Sequence, residues 1–218
     1  MKFTEHVYHL AQPSWEASKQ HPFIQELVAG HLPLDVFRFY LIQDAYYLKH
    51  FVKAHELVIE QTDDERIIQS QRFCKEGLVD SELVIREQFF KELAITEDIQ
   101  QQTPIAPTAY HYTSHIYRQF TVGTLATALA ALLPCYWLYY DIGTTFAKKQ
   151  SPVAMYQQFL DTYDSADFKA VLDELIALVD EVAQQVSETE REQMVEAFLM
   201  SSHYELNFWQ MAYTQETW

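Results

Sequence analysis

The sequence predicts an all-α protein, a helical bundle folded as one domain. Three observations lead there. Apolar residues recur at intervals of three and four over long segments, and no segment sustains a period of two. Glycine is scarce, at 4 residues in 218, which disfavours both all-β folds and glycine-rich phosphate loops. The breaks between periodic segments are short, with no long polar linker. Helices of this length with short connections pack antiparallel and hold ligand sites between facing helices.

The elements follow in order. Residues 3–18 and 23–30 form two opening segments separated by His21-Pro22, and His31-Leu32-Pro33 breaks the chain again. From Leu34 to Gln61 the apolar set Val36, Phe37, Tyr40, Leu41, Tyr47, Leu48, Phe51 and Val52 keeps helical spacing. Thr62-Asp63-Asp64-Glu65 supplies an N-cap and an acidic first turn for a helix over 64–94. The run from Thr103-Pro104 to Pro107-Thr108 is a loop, followed by a helix over 108–121 that stops near Gly123. Further helices are expected over 124–147, 152–161 and 166–186. Ser187-x-x-Glu190 is a capping box opening the last helix, 188–215.

Bulk properties restrict the function. A chain of 218 residues reads as a single domain, 1–218, able to bury a large core. Its aromatic content is high, with 14 Tyr, 14 Phe and 4 Trp, and aromatics line pockets for flat ligands as well as cores. The formal charge of −16 repels phosphate backbones and anionic membranes, so neither nucleic acid nor a membrane is expected as a partner. The two cysteines, Cys74 and Cys135, have no CxxC or His-ligand spacing, and no apolar leader opens the chain. A cytoplasmic location is the expectation.

Several residues are candidates for chemistry. Cys135 follows Pro134 in LLPCYWLYYDIG. A reactive cysteine needs its thiolate stabilised, because the ordinary thiol titrates near ~8.5. Pro134 either starts a helix, setting Cys135 over unpaired N–H groups, or interrupts a continuous one and releases the Ala130 carbonyl. Cys135 reads equally as a buried small hydrophobe. Tyr139 lies one turn on and shares its surface. Asp44 falls on the apolar stripe of Leu41, Leu48 and Phe51, beside Tyr47, where a carboxylate needs a partner, whether ligand or structural Arg, Lys or Tyr. Glu205 is flanked by Phe208 and Trp209, which raise a carboxyl pKa by desolvation and suit it to proton transfer. Tyr112 and Tyr163 are less constrained by spacing. Glu196 and His203 share a helix face, but the ligand set for a metal is incomplete.

Five tracts, in order along nearly the whole chain, carry a family resemblance. HPFIQELVAGHLPLDVFRFYLIQDAYYL, PTAYHYTSHIY, LAALLPCYWLYYDIG, FLDTYDSADF and FLMSSHYELNFWQMAY together resemble the TenA, or thiaminase II, family. The resemblance implies a heme-oxygenase-like helical bundle, a homotetramer, and cofactor-free hydrolysis of aminopyrimidines in thiamin salvage. Its substrates would be 4-amino-5-aminomethyl-2-methylpyrimidine and thiamin, both giving 4-amino-5-hydroxymethyl-2-methylpyrimidine. By the same resemblance Cys135 is the nucleophile, Glu205 the acid and base, and Asp44 the carboxylate that orients the ring. Tyr47, Tyr112, Tyr139 and Tyr163 line the pocket and Phe208 stacks on the substrate. The chain departs from the family at Phe159, where tryptophan is frequent. Two other classes compete: a di-metal oxygenase of the same fold using Glu196 and His203, and a pyrimidine-binding protein without turnover.

Overall fold

The computed structural model describes residues 1–79 and 84–218. Eleven helices occur among them: α1 (Phe3–Gln20), α2 (Pro22–Ala29), α3 (Leu34–Glu60), α4 (Glu65–Gly77), α5 (Val84–Glu92), α6 (Glu97–Gln102), α7 (Pro107–Gln119), α8 (Leu125–Phe146), α9 (Ala154–Tyr163), α10 (Ala166–Gln185) and α11 (Glu188–Thr214). The described residues contain no strand. The helix expected over 64–94 is represented by α4 and α5, and its residues 80–83 lie outside the described residues. Helix α6 was not anticipated, because its sequence EDIQQQ has one apolar residue and no periodicity. The Thr96 hydroxyl caps it by accepting from the Ile99 N–H.

The N-caps read from the sequence form, the one at Ser187 as a cap bond and not as the full capping box expected there. Asp64 accepts from the Arg66 and Ile67 N–H groups at the start of α4, and Ser187 accepts from the Glu190 N–H at the start of α11. Pro22 opens α2, with the His21 ring accepting from the Phe23 N–H. Gly30 ends α2 at φ 74°, a left-handed conformation that glycine takes without penalty. A Cβ there would lie 2.5 Å from the Pro152 ring, so this position is closed to larger residues.

The core is one continuous cluster centred on α8, which packs against α11, α10, α9 and α7. Helix α8 is long and apolar enough to cross a membrane by length and composition, yet 72% of that apolar window is buried inside the fold. Its hydrophobicity is satisfied by neighbouring helices. Gly143 brings α8 and the end of α9 together: a Cβ on it would lie 2.9 Å from the Tyr163 carbonyl carbon. That contact fixes where Tyr163 stands.

Candidate active site

Pro134 lies inside α8, so the first of its two expected roles is corrected. The helix starts at Leu125, nine residues earlier, capped by Thr124, and Cys135 does not stand over first-turn N–H groups. Proline has no N–H to offer the Ala130 carbonyl. The next carbonyl, that of Ala131, accepts from the Ser201 hydroxyl of α11 at 2.8 Å. The surroundings of the thiol are therefore set by side chains, from α8 itself and from other helices.

Asp44, Leu48, Cys135, Tyr136, Tyr139, Tyr163 and Phe168 line one narrow cavity of about 10 Å³. Cys135 is half-buried, whereas Asp44 and Glu205 are 3% and 2% exposed. The stripes inferred from α3 and α11 thus bury both carboxylates. A larger groove of about 260 Å³ lies between α7 and α11, lined in part by His115, Arg118, Gln193 and Glu196. It is open to solvent and contains neither the thiol nor a buried carboxylate, so the smaller cavity is the candidate site.

Two polar clusters meet at that site. In the first, the Tyr112 hydroxyl donates to Glu205 Oε1 at 2.6 Å. Tyr112 stacks between Tyr47, at 4.7 Å, and Tyr204, at 5.4 Å. Burial holds the Tyr47 and Tyr112 phenols well above their usual pKa, and the neighbouring charges of Cys135 and Glu205 push them further in the same direction. Both tyrosines therefore remain protonated donors beside the sulfur. The Tyr47 hydroxyl is buried beside that of Tyr112. Phe208, 2% exposed, meets Tyr47 edge-on at 5.9 Å.

The second cluster surrounds Asp44. Arg86 of α5 donates from Nε to Asp44 Oδ2 at 2.5 Å and from Nη2 to the Tyr163 hydroxyl at 2.7 Å. The Tyr40 hydroxyl lies 3.4 Å from Asp44 Oδ1 and 2.9 Å from the Tyr139 hydroxyl. Burial raises the Asp44 pKa, and the Arg86 charge opposes that rise. Tyr139 and Tyr163 pack edge to face at 4.7 Å.

Of the eight candidate residues, Asp44, Cys135, Tyr139 and Tyr163 line the cavity, and Glu205, Tyr112, Tyr47 and Phe208 form the adjoining cluster. Two further residues join them that sequence reasoning missed. Tyr40 precedes Asp44 by one turn on the same stripe, so helical spacing was a sufficient signal. Arg86 had a weaker one: it stands three residues before Phe89, and these two are the buried residues of α5. Glu196 and His203 instead face outward and are exposed, and His203 pairs with Asn207 at 2.9 Å. The described residues contain no group of three or more His, Cys, Asp or Glu side chains able to hold a metal.

Comparisons with known proteins agree with this architecture. The profile of the TENA/THI-4/PQQC family matches residues 9–215. An aminopyrimidine aminohydrolase of Bacillus subtilis (strain 168) is 38% identical, covering 100% of this chain and 92% of that protein. One from Halalkalibacterium halodurans is 32% identical over 100% of this chain and 98% of its own. The crystal structure of a TenA family transcription regulator from Silicibacter sp. TM1040 superposes with a TM-score of 0.90 at 26% identity, covering 98% of this chain and 97% of the other. With a match running through α1 to α11, the chain belongs to the TENA/THI-4/PQQC family.

Proposed function

We propose that this protein is an aminopyrimidine aminohydrolase that uses Cys135 as a covalent nucleophile. The observation that carries the proposal is the junction of the two clusters. A half-buried thiol shares its cavity with Asp44, Tyr139 and Tyr163, and Tyr112, which donates to Glu205, feels the charges of both Glu205 and Cys135. Relatives with the same activity name align over the full chain.

The chemistry follows from that layout. Asp44 accepts a hydrogen bond from the 4-amino group and fixes the ring. The Cys135 sulfur bonds to the ring carbon next to the substituted one, and the ring takes the electron pair as a ring nitrogen gains a proton. That pair expels the amine from the exocyclic carbon. Glu205 supplies the proton the amine carries away and leaves an exocyclic methylene. Water adds to the methylene as Glu205 takes back a proton, and the restored ring electrons expel the sulfur. One hard displacement becomes several easier steps. The buried Tyr47 hydroxyl, protonated and near Cys135, stabilises the negative sulfur, while Tyr112 keeps its hydrogen on Glu205. Assembly as a homotetramer in the cytoplasm belongs to the same reading, and sedimentation of the purified protein tests the assembly.

Incubation with 4-amino-5-aminomethyl-2-methylpyrimidine is expected to release ammonia, with Cys135→Ser inactive. Full activity in that variant would sink the covalent mechanism. Tight binding of the pyrimidine without ammonia would make the protein a binder instead.

A further inference from the structure

The mechanism uses Tyr112 of the tract PTAYHYTSHIY and leaves His115, three residues on, without a role. His115 is half-buried at the wall of the groove between α7 and α11. Its Nε2 donates to the Ala197 carbonyl of α11 at 3.2 Å. A carbonyl only accepts, so Nε2 carries the hydrogen. The Gln119 amide nitrogen donates to His115 Nδ1 at 3.4 Å and to the His115 carbonyl at 3.1 Å, so Nδ1 is the acceptor. Burial lowers the His115 pKa against the opposing bond to Ala197, and the ring is held neutral in this one tautomer.

The bond ends a row of hydrogen bonds that runs in antiparallel order from α7 to the stretch 197–216. The Thr108 N–H donates to Glu216 Oε2 at 2.9 Å, the Tyr112 hydroxyl to Glu205 Oε1 at 2.6 Å, and His115 to Ala197. The middle bond belongs to the proton-transfer pair, and His115 holds α7 on its groove side. Tyr112 and His115 also share an aromatic neighbour. The Tyr204 ring lies 5.4 Å from Tyr112, nearly parallel at 13°, and 5.7 Å from His115, inclined by 36°. Stacked rings tolerate lateral offset, so they fix the plane of Tyr112 and leave α7 free to slide along α11. A hydrogen bond weakens steeply with distance and angle, so the His115 bond resists that slide. Beyond it the solvent-open groove separates the two helices, with Arg118 on one wall and Gln193 and Glu196 on the other.

We infer that His115 is a positioning residue: its bond to the Ala197 carbonyl sets the register of α7 on α11 and so aims the Tyr112 hydroxyl at Glu205. The inference deepens the proposed function, on which its kinetic consequence rests. His115 is not among the residues lining the cavity beside Cys135, so binding of the pyrimidine ring does not involve it.

His115→Phe keeps a ring against Tyr204 and removes the donor. In protein with isotope-labelled tyrosine Cζ, the Tyr112 resonance, assigned by its loss in Tyr112→Phe, is expected to move in His115→Phe towards that of an unpaired phenol. His115→Gln places an amide donor near the lost Nε2 and is expected to keep the wild-type signal. The ring-only amino probe 4-amino-2,5-dimethylpyrimidine has no leaving group. By calorimetry it is expected to bind wild type and His115→Phe within about twofold of each other, while kcat falls about tenfold in His115→Phe and recovers in His115→Gln. In a Tyr112→Phe background, His115→Phe is expected to cost no further turnover, because its effect passes through that hydroxyl. His115→Ala leaves the Ala197 carbonyl open to groove water and replaces His115→Phe if that variant does not fold. A Tyr112 resonance unmoved in His115→Phe, losses that multiply in the double variant, probe binding weakened as much as turnover, or a signal that His115→Gln does not keep overturns the inference. The resonance is read without turnover. A wild type that releases no ammonia, with a Tyr112 signal that still moves in His115→Phe, ends the catalytic reading and leaves the positioning role standing.

Discussion

The Ser201 hydroxyl donates to the Ala131 carbonyl at 2.8 Å, and each residue lies one helical turn before a site residue. Ala131 precedes Cys135 on α8, and Ser201 precedes Glu205 on α11. One buried bond therefore ties the sulfur-bearing turn to the carboxylate-bearing turn. It lies next to the Ala130 carbonyl, which Pro134 leaves without its helical N–H donor. Ser201→Ala removes this bond and is expected to cost about 0.5–1.5 kcal/mol of stability. Its kcat is expected to fall several-fold with KM little changed, and steady-state kinetics with denaturant titration check both. A variant as stable and as active as wild type would show the tether to be dispensable.

Tyr112→Phe removes the donor to Glu205 while keeping the stacked ring between Tyr47 and Tyr204. The substrate edge is untouched. Turnover is expected to drop about 10²-fold, the scale of losing one aligned donor in a proton-transfer pair, with KM within a few-fold of wild type. A rise in KM at constant kcat would instead place Tyr112 in ground-state binding.

His55 sets a pH dependence of stability. It is fully buried, with Nδ1 2.7 Å from Gln71 Oε1 and Nε2 2.9 Å from the Tyr136 hydroxyl. Burial pushes its pKa down from 6.5 to about 4. The unfolded chain therefore takes up a proton at His55 before the folded one does. The stabilisation is complete above the unfolded value and is lost as pH falls towards the folded one, by about 3 kcal/mol. Urea unfolding of wild type and His55→Gln across that range is the measurement. The variant is expected to show the shallower decline, and parallel curves would contradict the assignment.

The two cysteines should differ sharply in reactivity. Cys74 is buried on α4, and desolvation drives its thiol pKa strongly upward. Cys135 is partly exposed to the cavity. Iodoacetamide on the native protein is expected to modify Cys135 alone, and the ring-only amino probe to slow that reaction. Peptide mapping that finds Cys74 labelled at a comparable rate would refute this.

Gly143→Ala is expected to displace Tyr163 rather than unfold the protein. The added Cβ meets backbone at 2.9 Å, which a side-chain rotation cannot relieve, so α9 must shift. Overpacking of this kind costs about 1–3 kcal/mol. The functional signature is a raised KM for the aminopyrimidine, measured beside Gly77→Ala, where the nearest atom is a valine methyl at 3.3 Å.

Helical spacing made most of the bundle legible. Asp44 and Glu205 were placed on buried stripes by their apolar neighbours alone, and both prove almost wholly inaccessible. Cys135 and Tyr139 were paired by their four-residue spacing. What spacing does not encode is which helices face one another. Arg86 reaches Asp44 across 42 positions of chain, and Tyr112 reaches Glu205 across 93. Such pairings depend on packing between helices, to which local periodicity is blind. Pro134 was ambiguous for a related reason: a proline suits a helix start or an interruption, and the choice is made by the cap at Thr124, ten residues away.

The cavity beside Cys135, about 10 Å³, is the size of one water molecule. A substituted pyrimidine enters it only when the surrounding rings swing aside. Ligand capture is therefore gated by the protein's own breathing, and encounter alone does not complete it. In stopped-flow traces the observed association rate will level off at high pyrimidine concentration, at a plateau that measures how often the aromatic wall opens.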